Sequence, residues 1–148
     1  MKNTIIIWLL LILSNYPGQA QYSQGAKDSA QIEILQLTNE WNIAIINRDS
    51  TVLNKILAPE YSLNGSVSRD IWMNNTLHHL DTDTLKIVIP LVITFYGQAI
   101  KSEGTYFWKA SYDGKPRINS NYVVTDIWLK RNGHWQVIIR MSLPEKTK

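Results

Sequence analysis

Asp126 is the acid that falls inside a strongly apolar β pattern, the run Tyr122-Val-Val-Thr-Asp-Ile-Trp-Leu-Lys130. A carboxyl buried in such a run loses hydration, which disfavours its charged form and suits it to general acid or base work near neutral pH. The structural alternative is a carboxylate that accepts hydrogen bonds from backbone groups or from a nearby Trp indole. Five aromatic residues, Trp41, Trp72, Tyr106, Trp108 and Trp128, fall at helix and strand positions that face inward. They are either plain core or the wall of a pocket for a flat apolar ligand, since such pockets are mostly apolar with a few polar groups for orientation.

Other chemistry is poorly served. His78-His79 precede Asp81 and Asp83, but neighbouring helical residues point about 100° apart and do not share one ion easily. A helix end that favours imidazole near its C-terminal dipole accounts for them equally. No Ser-His-Asp arrangement is traceable, no glycine-rich phosphate loop precedes a helix, and with no cysteine there is no thiol nucleophile. No metal or cofactor is expected.

Local patterns supply the elements that must position these residues. From Ala30, Ile32, Leu35, Trp41, Ala44 and Ile45, with Ile34, Leu37 and Ile46 beside them, recur at spacings of three and four. That spacing predicts a helix with a wide buried stripe ending near Arg48. Asp49 or Ser50 caps a second helix carrying Val52, Leu53, Ile56 and Leu57, which Pro59 stops. Asn64-Gly65 turns a small hairpin, and Ser68 caps a third helix from Arg69 to about Leu80. Four runs rich in β-branched and aromatic residues follow: Leu85 to Tyr96, Ala99 to Tyr112, Asn119 to Lys130 and Trp135 to Leu143. Gly97-Gln98, Asp113-Gly114 and Asn132-Gly133 separate them. Helices first and strands later means an α+β fold.

Counting outward from each two-residue turn assigns faces. From Gly97-Gln98, Leu85, Ile87, Ile89, Leu91, Ile93 and Phe95 share a face with Ile100, Tyr106 and Trp108, and Pro90 is the position where a bulge would break that register. From Asn132-Gly133, Trp128 pairs with Val137, Asp126 with Ile139 and Val124 with Met141. Thr125, Ile127, Leu129, Gln136, Ile138 and Arg140 then form the opposite face, apolar enough to predict a homodimer through the outer side of the sheet.

The chain's address is read at its start. Lys2, the apolar run Ile5 to Leu13 and the small residues Gly18-Gln19-Ala20 form a signal peptide over residues 1–20, cleaved after Ala20. Nine apolar residues are too few to span a bilayer core of about 30 Å. Export to a periplasm or medium is expected, with no membrane attachment afterwards. A short flexible leader over 21–29, one domain over 30–144 and a tail over 145–148 complete the organisation. Loss of Lys2 lowers the net charge from +3 by one, and the remaining Lys and Arg are scattered, which argues against a nucleic-acid partner. Asn64-Gly-Ser66 and Asn74-Asn-Thr76 match a glycosylation acceptor by chance, given a bacterial-style signal.

Three segments in order carry a resemblance: Leu37-Thr-Asn-Glu-Trp-Asn-Ile-Ala with Asp49 after it, Tyr96-Gly-Gln-Ala-Ile, and Thr125-Asp-Ile-Trp-Leu-Lys-Arg-Asn-Gly-His-Trp-Gln-Val. Across Ile32 to Ser142 the chain resembles the nuclear transport factor 2-like superfamily, in particular its secreted branch related to SnoaL-like proteins. The resemblance implies a cone-shaped, curved antiparallel sheet with three N-terminal helices packed on its concave face, an internal cavity and a dimeric habit. Ketosteroid isomerases of that superfamily use a tyrosine on the first helix and two carboxyl groups inside the cone. Here the helix offers Trp41 and no matching pair of acids, so no catalytic residue is carried across.

Two function classes follow from these residues. One is a binding module holding a small apolar or amphipathic molecule, or using its dimer surface as a protein-interaction module. The other is an isomerase or other proton-transfer enzyme with Asp126 as acid or base. Catalysis needs at least two converging polar groups, and the sequence yields one, which favours binding.

Overall fold

Ser23 opens the first helix, its hydroxyl accepting from the Ala26 amide at 3.3 Å, and the helix α1 runs through Gln24–Asn47. The computed structural model describes residues 22–146; the signal peptide expected over 1–20 lies outside them. The leader expected over 21–29 is helical from Gln24 onward, because the Ser23 cap and the packing of Tyr22 on Phe95, with ring centroids 5.8 Å apart, anchor it. Arg48 takes the left-handed conformation at the helix end. Asp49 then caps α2, Ser50–Ile56, by accepting from the Thr51 and Val52 amides.

The buried stripe of α1 is Ala30, Ile34, Thr38, Trp41, Ala44 and Ile45. Ile32 and Leu35, expected within it, are 58% and 41% exposed. Both lie on the far side from Trp41, whose burial sets the helix rotation.

Six strands form one sheet: β1 Leu57–Leu63, β2 Val67–Ser68, β3 Leu80–Tyr96, β4 Ala99–Tyr112, β5 Lys115–Arg131 and β6 His134–Pro144. Their order is β2-β1-β6-β5-β4-β3. The sheet is mixed where an antiparallel one was expected, because β1 pairs with β6 in parallel. Leu57 belongs to β1 and not to α2, since the chain must turn extended at once to reach β6. A third helix, α3, spans Arg69–Asn74, and a π-helical turn, Asn75–His79, follows it where continued α-helix was expected. Ser68 stands at the N-cap position of α3 without a side-chain cap bond. Among the described residues no helix is long and apolar enough to cross a membrane.

Two irregularities decide which side chains enter the concave side. Near Pro90 the β3–β4 register shifts twice, between Ile87 and Ile89 and between Ile89 and Val92. Ile89 is thereby 53% exposed, not inward as a straight count predicts. Pro90 sits on the edge strand, where its missing N–H interrupts no second ladder. On β6 a bulge lies between the pairs Trp128–Val137 and Ile127–Ile139, so Ile138 is the extra residue. Beyond it Asp126 pairs with Arg140 and Val124 with Ser142, in place of the expected Ile139 and Met141.

Candidate functional site

Arg140 crosses to the concave side because of the β6 bulge, and there it meets Asp126. Its Nε donates to Asp126 Oδ1 at 2.7 Å and its Nη2 to Oδ2 at 2.8 Å. The carboxylate is 1% exposed and the arginine 7%. Burial opposes the guanidinium charge, but the Asp126 carboxylate beside it and the two hydrogen bonds outweigh that, so its pKa is raised. The planar fork matches a carboxylate in a way that lysine would not. Trp41 of α1 lies beneath the guanidinium, with Cζ 3.5 Å from the ring centroid, and Tyr106 of β4 is 5.7 Å away.

The surrounding aromatic residues lock these positions. Trp41 packs edge-on against Tyr61, Trp72 and Trp128, with centroids 6.1, 6.1 and 6.2 Å apart. Trp128 donates its indole N–H to Ser102 Oγ at 2.9 Å. Burial pushes the Tyr61 and Tyr106 hydroxyls well above the ordinary tyrosine value, with the Arg140 charge opposing the rise. Neither hydroxyl has a hydrogen-bond partner among the described residues.

A cavity of about 250 Å³ lies beside this group. Trp72, Tyr106, Trp108, Tyr122, Leu85 and Val124 supply most of its wall, and Ile45, Leu63 and Ile118 close it. Arg140 is the charged residue on the lining, joined by Asn64 and Ser142. Those two are tied together: the Asn64 side chain accepts from the Ser142 amide at 2.7 Å and donates to its carbonyl at 3.2 Å. The volume lies just below the roughly 300–1,000 Å³ usual for ligand pockets, which suits a small molecule of one or two rings.

Solved structures share this architecture at low identity. A protein from Cytophaga hutchinsonii aligns over 84% of this chain and all of its own, with a TM-score of 0.69 and 15% identity. One from Salmonella enterica aligns over 82% and 96%, at 0.69 and 20% identity. Both are nuclear transport factor 2-like proteins. The chain has the nuclear transport factor 2-like fold. A calcium/calmodulin-dependent kinase II association-domain protein from Exiguobacterium sibiricum aligns on it as well, over 86% and 98%, at 0.70 and 10% identity. No family model and no curated protein sequence matches the chain.

On this nuclear transport factor 2-like cone, three of the five aromatic residues read as pocket candidates, Trp72, Tyr106 and Trp108, line the cavity. Trp41 and Trp128 are fully buried and stand outside the lining. Asp126 also lies outside it, with both carboxylate oxygens engaged by Arg140. His79 stacks on Tyr112 and its Nδ1 lies 2.8 Å from Asp113 Oδ1, on the surface.

Arg140 is the residue that counting from the turn missed. Two signals pointed to it: a buried carboxylate at Asp126 calls for a cationic partner, and the consecutive β-branched pair Ile138-Ile139 marks the point where alternation breaks. Tyr122, Asn64 and Ser142 carried no comparable signal, because a tyrosine near a strand start or a polar residue at a turn is common on any surface.

Proposed function

We propose that this protein is an exported binding module whose cone holds a small, largely apolar molecule in the cavity bordered by Trp72, Trp108 and Arg140. The observation that carries the reading is the cavity itself: an apolar, aromatic wall with one charged side chain on its lining. Such a composition rewards burial of a flat ligand at about 25 cal/mol per Å² of apolar surface and orients it through one polar corner. The sole buried acid of the site is engaged by Arg140 through two short bonds, which favours binding over proton transfer. The signal-like segment over 1–20 supports export.

The outer face of the sheet supports pairing with a second copy. Val92, Val123, Met141 and Leu143 are between 40% and 64% exposed, and they fall in two adjacent transverse rows of the ladder. Light scattering at micromolar concentration should return a dimer, and a Val123→Lys, Leu143→Glu variant a monomer. A wild-type protein that stays monomeric would remove this part of the reading.

A thermal-shift screen of the mature chain against one- and two-ring aromatic compounds tests the pocket. Stabilisation by a subset of them, lost when Ile118→Trp places a larger side chain on the cavity wall, is the expected result. A screen without any stabilising compound, or stabilisation undiminished in Ile118→Trp, would contradict it.

A further inference from the structure

We infer that Arg140 is the polar anchor of the cavity and that the ligand it selects is an uncharged carbonyl compound, such as an aryl ketone or amide, not a carboxylate. The inference rests on the pocket reading and names the ligand class of that site.

A guanidinium carries five N–H donors. Asp126 uses Nε and one N–H of Nη2, which leaves three donors on a residue that borders the cavity. The polar corner therefore offers donors to an acceptor oxygen. Trp41 lies against the guanidinium and Asp126 binds two of its nitrogens, so little rotamer freedom remains to be lost on binding.

Charge balance selects the acceptor. Asp126 already neutralises Arg140, and the other lining residues carry no charge. A carboxylate in the cavity would leave one net negative charge among Trp72, Trp108, Leu85 and Val124, which low-dielectric surroundings penalise heavily. A neutral carbonyl takes the same donors without that penalty. A hydrocarbon of the same shape fills the apolar wall but leaves the donors unused.

Four probes of one shape separate these cases: acetophenone, benzamide, ethylbenzene and benzoate. Their affinities for the mature wild-type protein would be measured by calorimetry or ligand-observed NMR. Acetophenone and benzamide are expected to bind roughly tenfold or more tighter than ethylbenzene, as a hydrogen bond to a charged donor implies, and benzoate more weakly than both. In a paired Asp126→Asn, Arg140→Gln variant the acetophenone preference over ethylbenzene should fall to about twofold or less, while ethylbenzene still binds and so reports an intact cavity. If that variant does not fold, the apolar replacement Asp126→Leu, Arg140→Met, which removes every donor, serves instead, with the same expected loss of preference.

Ethylbenzene binding as tightly as acetophenone, or benzoate binding tightest, would overturn the anchor and leave the pocket standing. Failure of all four probes would overturn the pocket reading and the anchor with it.

Discussion

Arg140 on β6 stands directly across from Asp126 on β5 and closes both carboxylate oxygens, while its guanidinium lies 3.5 Å from the Trp41 ring centroid. One interaction thus joins the last hairpin to the first helix. It also converts two buried charges, each costly alone, into a neutral unit at the edge of the cavity.

Removing one member leaves the other charged and dry. Asp126→Asn or Arg140→Met should each cost about 3–5 kcal/mol of stability, and the joint replacement Asp126→Leu, Arg140→Met should cost much less than the sum. Urea denaturation of the four proteins checks this. Single variants within about 1 kcal/mol of wild type would mean that the pair is hydrated in solution.

Gly104 sits where β3 bulges around Pro90. A Cβ built there would fall 2.7 Å from Leu91 Cδ2 and 3.0 Å from the Ile89 carbonyl oxygen. The backbone oxygen cannot rotate aside as a side chain can. Gly104→Ala should therefore cost about 1–3 kcal/mol, seen as a lower urea midpoint with an unchanged slope. A neutral or stabilising outcome would show that β3 relaxes away from β4.

Alkaline titration reports on Tyr61 and Tyr106. Burial raises both hydroxyls above the ordinary value of 10.0. Below that pH they are protonated whether the chain is folded or not, and their contribution is full. Above it the unfolded chain releases protons that the folded chain retains, so stability falls as pH rises. Phenolate absorbance of residues 21–148, which hold six of the seven tyrosines, should accordingly show two withheld until the protein unfolds. Six groups titrating together in the folded protein would contradict their burial.

The turns were legible in the sequence, and so was the break near Pro90, but the bulge at Ile138 was not counted. Asn132-Gly133 and Gly97-Gln98 announce themselves because positive φ restricts the residues that can stand there. Near each turn the counted register is correct: Phe95 pairs with Ile100 and Trp128 with Val137. That bulge changes parity with no Gly or Pro to mark it, and only the consecutive Ile138-Ile139 and the unpaired Asp126 hint at it, so a straight count reads Arg140 as outward. Likewise, Ile32 and Leu35 read as core on helix α1 by type, whereas Thr38 and Asn42 hold buried positions that type alone would give to solvent. The aromatic wall was visible in part, since Trp72, Tyr106 and Trp108 were read as pocket candidates. Tyr122 and Asn64 depend on how distant strands converge, which no local pattern records.

Binding in the cavity is tested by a nitrogen-15 NMR titration of residues 21–148 with acetophenone, following the indole N–H signals of the tryptophans and the Nε–H signal of Arg140. The Trp72, Trp108 and Arg140 signals should shift together and saturate, while Trp135, which lies outside the cavity lining, stays in place. Signals that remain unmoved at saturating ligand, or that shift only at Trp135 and the outer face of the sheet, would contradict it.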